Sequence, residues 1–367
     1  VVHATAAVVV AHGAPFTFDS IEVPEPRADE VRVRIHAVGI CHTDLAVAGG
    51  HRDVPVPVVL GHEGAGVVES VGSAVTRVAV GQRVALSFAS CGRCSACETG
   101  RPALCASLLA LNFGGRRADG STTLRAGDGS VLHGSFFGQS SFATLALVAE
   151  RSVVPIPDDM PFELAAPLGC GIQTGAGAVW RSLDVSPGDT VIVSGAGAVG
   201  LAAVIAARIR GAANIVAVDG MPSRLQAALA VGATHVVNGA TEDLREVIRV
   251  IAPDGADAAV DTTAAPPVIE RTLEALRRGG TLALVASGRG ADAVRLGLLV
   301  GKRVIGVLEG DSVPSQAIPQ LAALYRSGAF PLEALVRTYP FADIDRAVAE
   351  MKSGEAIKPV LLMPCSC

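Results

Sequence analysis

From Asp189 onward the chain alternates strand-like and helix-like runs, an order that few folds accept. Strand patterns at Thr190–Ser194, Ile215–Asp219, Thr234–Val237, Ala256–Asp261, Thr281–Ala286 and Arg303–Leu308 are separated by helical ones. The helical runs are Val199–Arg210, Ser223–Val231, Asp243–Ile251 and Val268–Arg278. Six strands with crossover helices predict a doubly wound parallel sheet, an α/β architecture. Gly195-Ala196-Gly197-Ala198-Val199-Gly200 falls at the first strand-to-helix junction. The string is weak evidence alone, but there its glycines let a pyrophosphate approach the backbone at a helix N-terminus. Asp219 ends the next strand. A carboxylate at that place bonds ribose hydroxyls and repels a 2′-phosphate, which favours NAD over NADP. Arg224 keeps NADP open, because an arginine near that ribose can accommodate the phosphate.

The chain before Cys170 has a different texture. Val31-Arg32-Val33-Arg34-Ile35-His36 alternates apolar and polar residues, the period of a strand buried on one face. Val23-Pro24-Glu25-Pro26 and Val54-Pro55-Val56-Pro57 argue against long helices. A β-rich domain whose loops carry the chemistry is expected. Near the end, a helical pattern at Ile344–Lys352 precedes an apolar strand at Pro359–Met363, which is expected to return to the first domain. At 367 residues the chain is longer than one core usually supports, so two domains are expected. Residues 1–171 and 309–367 form the β-rich one on this reading, and 172–308 the dinucleotide-binding one.

Eight cysteines without secretory features suggest metal or catalysis before disulfides. Four of them, in the spacing Cys91-x2-Cys94-x2-Cys97-x7-Cys105, can close a tetrahedral all-thiolate zinc site. An iron–sulfur loop would more typically have a shorter last gap followed by proline. A nucleic-acid zinc module would want more base than Arg93 and Arg101. A structural zinc is the reading adopted. Four ligands leave no open position, so the reactive centre must lie elsewhere. Cys41, His62 and Cys170 remain, and two thiolates with one imidazole leave a fourth position free, as catalytic zinc requires. A lone histidine is more often a satisfied or surface residue. The setting Gly61-His62-Glu63-x-x-Gly66-x5-Gly72-x-x-Val75 changes that weighting. Cys365 and Cys367 fit neither cluster and read as a loose tail, or as reactive thiols.

Half the residues are apolar and 18% are charged, the balance of a globular protein. A net charge of -5 gives no basic footprint for nucleic acid. The apolar start, Val1 to Val10, lacks a basic flank and is too short to span a bilayer. A buried first strand, no membrane partner and a cytoplasmic setting are expected.

The Gly61-His62-Glu63 string, the four-cysteine lobe and the later glycine motif together closely resemble the zinc-dependent medium-chain alcohol dehydrogenase family, along essentially the whole chain. The resemblance implies a GroES-like catalytic domain and a Rossmann domain, two Zn2+ per chain, NAD, and a homodimer or homotetramer formed through the cofactor domains. It implies that Cys41, His62 and Cys170 hold a catalytic zinc, with Glu63 behind it as an alternative ligand, and that Cys91, Cys94, Cys97 and Cys105 hold a structural one. Asp44 matches a carboxylate that orients the histidine ligand. Thr43 matches a hydroxyl that passes the alcohol's proton outward. His42 and Lys358 match pyrophosphate contacts, and Thr174 a residue backing the nicotinamide. The implied reaction moves a hydride between a small-molecule alcohol and NAD, giving the aldehyde and NADH.

Two departures matter. The histidine that completes the proton relay in the best-known members is Ala46 here, so the proton must leave by water or another base; nothing in the spacing places His51 for that task. His42 stands where other members carry arginine. His42→Arg is expected to tighten NADH binding, and an unchanged dissociation constant would contradict this. Cys41-His42-Thr43-Asp44-Leu45, Phe136-Phe137-Gly138-Gln139-Ser140-Ser141-Phe142 and Gly169-Cys170-Gly171-Ile172-Gln173-Thr174-Gly175 look most like the benzyl (aryl) alcohol branch. A primary aromatic or allylic alcohol is the implied substrate. The alternatives are a general or terpenoid, geraniol-like alcohol and, from another class, a non-catalytic zinc protein on a dehydrogenase fold. Phe88, Phe113 and Phe137 are candidates to line the pocket, or plain core.

Overall fold

The structure, a computed structural model, describes residues 1–286 and 293–364. Cys365 and Cys367 lie outside the described residues. The chain forms two units, one of Val1–Cys170, Val313–Ala323 and Val336–Cys367, the other of Gly171–Ser312 and Leu324–Leu335.

The second unit holds a six-stranded sheet in the order His235–Asn238, Asn214–Asp219, Thr190–Ser194, Ala256–Asp261, Leu276–Leu284, Arg303–Gly306. Every pairing in it is parallel. The strand order reverses beside Thr190–Ser194, and such switch points are where ligands bind in open α/β sheets. Val191, Ile192 and Val193 are all fully buried, because a parallel sheet is covered on both faces. The following helix, Ala198–Ile209, is apolar nearly all round, and Gly200 to Ala207 are buried without a break. The last strand ends at Gly306, short of the expected Leu308. The helix expected to reach Arg278 spans Pro266–Ala275, and a strand begins at Leu276. Gly279 has a φ of +81°, outside helical space, and its N–H is held by the Gly301 carbonyl at 2.6 Å. The sheet register accordingly jumps from Leu276 opposite Ala256 to Thr281 opposite Ala258.

The first unit contains two sheets. Val2–Val9 pairs antiparallel with Thr17–Val23 in a four-stranded sheet. The larger sheet runs Val336–Pro340, Lys358–Leu362, Glu30–Gly39, Gly64–Val71, Arg83–Leu86, Val153–Pro155, with Leu145–Ala149 also paired to Glu30–Gly39. Val31, Val33 and Ile35 point into the core as the alternation requires. Arg32, on the other face, is also covered, because Glu69 and Glu25 pair with it at 2.8 and 3.2 Å. Before Cys170, where proline recurs, the α-helices span seven residues or fewer. Among the described residues no helix is long and apolar enough to cross a membrane.

Candidate active site

The site begins where the strand Glu30–Gly39 gives way to the short helix His42–Ala48. Cys41 is the N-cap of that helix, and its N–H donates to Asp44 Oδ2 at 2.9 Å, closing a capping box. The other oxygen of Asp44 accepts from Gly61 N–H at 3.1 Å and from His62 Nδ1 at 2.9 Å. One buried carboxylate therefore fixes both the helix start that carries Cys41 and the imidazole plane of His62. Gly61 has a φ of +85°, and a Cβ there would run into the backbone of Phe142. Only glycine can precede the histidine in this turn.

Cys41, His62, Glu63 and Cys170 each bring one donor atom into a set whose members all lie within 4.8 Å of one another. Since Asp44 engages Nδ1 of His62, the imidazole offers Nε2. That atom is buried and has no hydrogen-bond partner among the described residues. An orphaned ring nitrogen beside two thiols fits a zinc ion, which would take it as a ligand. The electrostatics agree. The hydrogen bond with Cys170 holds the Cys41 thiol well below its usual range, and His62 and Lys358 add to that against the effect of burial. Burial pulls His62 down, but the charge and hydrogen bond of Asp44, with help from Cys41, outweigh it and hold the metal-free ring well above its usual range.

Glu63, the carboxylate of this set, is fully buried, with Lys358 Nζ at 2.9 Å from both its oxygens and at 3.0 Å from the Ile40 carbonyl. Burial pushes the carboxyl up, to about 7, against the pull of Lys358. Burial acts to lower Lys358, yet the Glu63 carboxylate overrides it and keeps the ammonium charged. The structure thus gives Lys358 a different partner from the pyrophosphate expected. At 2% exposure, its protons are directed at Glu63 and Ile40.

Around His62 the structure gathers aromatic rings. Phe137 stacks on the imidazole with centroids 4.3 Å apart, and Phe136 meets it edge-on at 5.5 Å. Phe113 packs edge-on against Phe137 at 5.1 Å. Phe88 is buried in the same core, but no ring contact ties it to this group. Phe136, outside the pocket candidates of the sequence, thus joins Phe137 at the His62 ring. Thr43 Oγ1 lies 3.8 Å from the Cys41 sulfur, beside the donor set. His42 is exposed on the first turn of the helix. His51 is exposed beyond the far end of that helix, its N–H on the Ala46 carbonyl at 2.7 Å.

The second sulfur set, Cys91, Cys94, Cys97 and Cys105, also lies within 4.8 Å. Backbone amides face it: Cys91 N–H donates to Cys105 Sγ at 3.2 Å and Ala106 N–H to Cys94 Sγ at 3.5 Å. The Ala106 and Cys97 amides pull Cys94 down to about 6, whereas burial and neighbouring sulfurs push Cys97 up to about 12. Four thiolates cannot coexist here without a cation, which is what a zinc ion would provide.

In the second unit, the glycine motif turns from the strand Thr190–Ser194 into the helix Ala198–Ile209. A Cβ on Gly200 would collide with the Gly195 carbonyl, whereas one on Gly197 would meet nothing within 4 Å among the described residues. Packing does not explain Gly197; room for a phosphate does, so the loop fits a dinucleotide. Asp219 Oδ2 accepts from Ala196 N–H at 2.8 Å and Oδ1 from Met221 N–H at 2.9 Å, so it also braces the loop. Arg224 is 3.8 Å from Asp219. Thr174 sits in the buried helix Gly171–Gly177, whose Gly175 abuts the Val199 carbonyl.

Comparison with known proteins agrees with this picture. The alcohol dehydrogenase GroES-like domain family matches residues 27–158, and the zinc-binding dehydrogenase family matches residues 198–327. The chain belongs to the zinc-dependent medium-chain alcohol dehydrogenases, with a GroES-like domain and a Rossmann domain. It is 42% identical to a geraniol dehydrogenase of Castellaniella defragrans over 98% of both chains. A solved alcohol dehydrogenase zinc-binding domain protein from Burkholderia ambifaria is 47% identical, with a TM-score of 0.97 over 99% of this chain and 100% of that one. The benzyl alcohol dehydrogenase of Acinetobacter calcoaceticus is 40% identical, with a TM-score of 0.96 over the same shares.

Proposed function

We propose that this alcohol dehydrogenase oxidises primary aromatic or allylic alcohols to aldehydes with NAD, on a zinc held by Cys41, His62 and Cys170. The convergence of those donors on an unpartnered His62 Nε2 carries the reading. When bound, zinc lowers the pKa of a hydroxyl (for water from about 15.7 to about 7 in the strongest cases) and NAD accepts the hydride. Asp44 keeps the imidazole in the tautomer and plane that present Nε2. Glu63, restrained by Lys358, is an alternative ligand. Thr43 receives the alcohol's proton, and with Ala46 in the relay position and His51 exposed, that proton leaves to solvent water. Phe136 and Phe137 keep water from the His62 face. Cys91, Cys94, Cys97 and Cys105 hold a second, structural zinc.

The Asp219 carboxylate favours NAD over NADP, with Arg224 moderating the preference. His42 is assigned to the pyrophosphate and Thr174 to the nicotinamide; Gly195, Gly197, Ala198, Val199 and Gly200 form the phosphate loop. We assign the first unit to catalysis and the second to the cofactor; relative to the expected 172–308, the second unit extends to Gly171–Ser312 and adds Leu324–Leu335. Reduced thiols in both clusters favour a cytoplasmic setting. The exposed edge strand Arg303–Gly306 favours a dimer or tetramer.

The benzyl alcohol dehydrogenase and the rings near His62 support an aromatic substrate, and the geraniol dehydrogenase supports an allylic terpenoid as the second reading. Purified protein with NAD and benzyl alcohol, geraniol, cinnamyl alcohol or ethanol, followed by NADH absorbance, separates them. Benzyl or cinnamyl alcohol should give the highest kcat/KM. Geraniol leading would select the terpenoid reading, and no turnover on any alcohol would reject both.

A further inference from the structure

Two buried polar side chains outside the donor set tie its segments together. Gln139 uses its whole amide: Nε2 donates to the His62 carbonyl at 2.9 Å and the Ser87 carbonyl at 3.3 Å, and Oε1 accepts from Gly64 N–H at 3.1 Å and Ser141 Oγ at 2.5 Å. Ser87 Oγ in turn donates to the carbonyl of Gly169, the residue before Cys170, at 2.7 Å. Three hydrogen bonds thus lead from the peptide of His62 to the peptide that precedes Cys170. All of these groups are buried. Buried networks with every member satisfied rigidify what they join.

The segment carrying Gln139 is itself held in an unusual shape. Ser135, Phe137 and Ser140 have φ of 60°, 50° and 55°, which side-chain-bearing residues rarely adopt. Such conformations persist only where the surroundings over-determine them. Besides the Gln139 bonds to the His62 carbonyl and Gly64, the segment latches to the three residues before His62: Ser140 Oγ donates to the Val59 carbonyl at 2.6 Å, Phe142 N–H to Leu60 at 2.9 Å and Ser141 N–H to Gly61 at 2.8 Å. The latch delivers Phe137 to the imidazole face and Gln139 to its backbone.

We propose that Gln139 and Ser87 are positioning residues: a buried bracket that sets the spacing between His62 and Cys170 and thereby tunes metal affinity and coordination geometry at the reactive site. This rests on the assignment of Cys41, His62 and Cys170 as metal ligands. Neither residue touches substrate or cofactor on this account. Removing a partner that orients metal ligands typically weakens metal binding by about 10–100-fold.

The test uses the full chain, with zinc affinity measured by chelator competition and the visible spectrum of the cobalt-substituted protein. Ser87→Ala and Gln139→Leu should each weaken one of two metals by about 10–100-fold and shift the cobalt bands, leaving the four-cysteine metal unchanged. Ser87→Thr, which keeps the hydroxyl, should restore wild-type values. A lower melting temperature with unchanged affinity and cobalt spectrum would overturn the bracket and leave a structural role. If Gln139→Leu fails to fold, Ser87→Ala alone decides, since it removes a single hydroxyl. Failure of the underlying assignment looks different: the wild-type protein would bind one metal per chain, or Cys170→Ser would leave the cobalt spectrum untouched.

Discussion

Cys91, Cys94, Cys97 and Cys105 all come from one loop, whereas Cys41, His62 and Cys170 are drawn from three separated stretches of the chain. The loop makes its site from what is local, since its own amides face the sulfurs. The other site rests on a strand end, a capped helix turn, a carboxylate shared between Cys41 and His62, and the Gln139–Ser87 path. The donors differ as well. Four thiols make a closed set, whereas the mixed set includes a carboxylate that Lys358 restrains. A local closed site should contribute stability, and an open one assembled from distant residues should contribute chemistry. Cutting into each in turn tests that division.

Cys170→Ser should have the largest effect. It removes a ligand of the open site, so alcohol-dependent NADH formation should fall by about 10³-fold or more. Metal analysis should show one zinc fewer per chain than the wild type. Retained turnover would move the chemistry elsewhere and dissolve the comparison. Asp44→Asn keeps the size of the side chain but loses the charge that holds His62. A fall of about 10–100-fold in kcat/KM or zinc affinity is expected, with the lobe metal intact. Cys97→Ser should do the reverse. The lobe loses its zinc, and a loss of about 3 kcal/mol lowers the melting temperature by roughly 10 °C in calorimetry. Turnover per folded molecule should stay within about threefold. A collapse of kcat as deep as that of Cys170→Ser would show that the lobe reaches the chemistry.

How much of this could be read from the chain follows the same division. The lobe's ligands are visible from spacing, because one loop supplies them all. The parallel sheet was also legible, since burial on both faces leaves apolar runs such as Val191–Val193 that local pattern reveals. The strand at Leu276 was not, because the break depends on Gly279 meeting Gly301 across the sheet. The partner of Asp44 needs a fold to bring residues 44 and 62 together, and only resemblance pointed to it. Gln139 belongs to the Phe136–Phe142 string, but its role depends on the left-handed turns at Phe137 and Ser140, and serine and phenylalanine do not announce those. For Lys358, resemblance suggested a phosphate, whereas the fold buries it against Glu63. Sequence spacing cannot show which way a buried cation points.

The smallest effect expected is in the metal-free protein, where the lobe's four thiols should titrate apart. Cys94 is pulled down to about 6, so its thiolate persists as pH falls to that value; Cys97 is pushed up to about 12, so it stays protonated through the neutral range. Thiolates, not thiols, react with alkylating agents. After chelation, iodoacetamide labelling resolved by mass spectrometry should show Cys94 modified with a midpoint near pH 6 and a rate that is flat from pH 7 to 9. Cys97 should remain unlabelled at pH 8. Depressed pKa values also lower nucleophilicity, which narrows the contrast in rate at neutral pH to about 10²-fold. Restoring zinc should protect both thiols. Equal labelling of Cys94 and Cys97 would mean that the lobe loses its shape without metal. The local site would then depend on its ion for structure, while the site around His62 would keep its shape through Asp44 and the sheet.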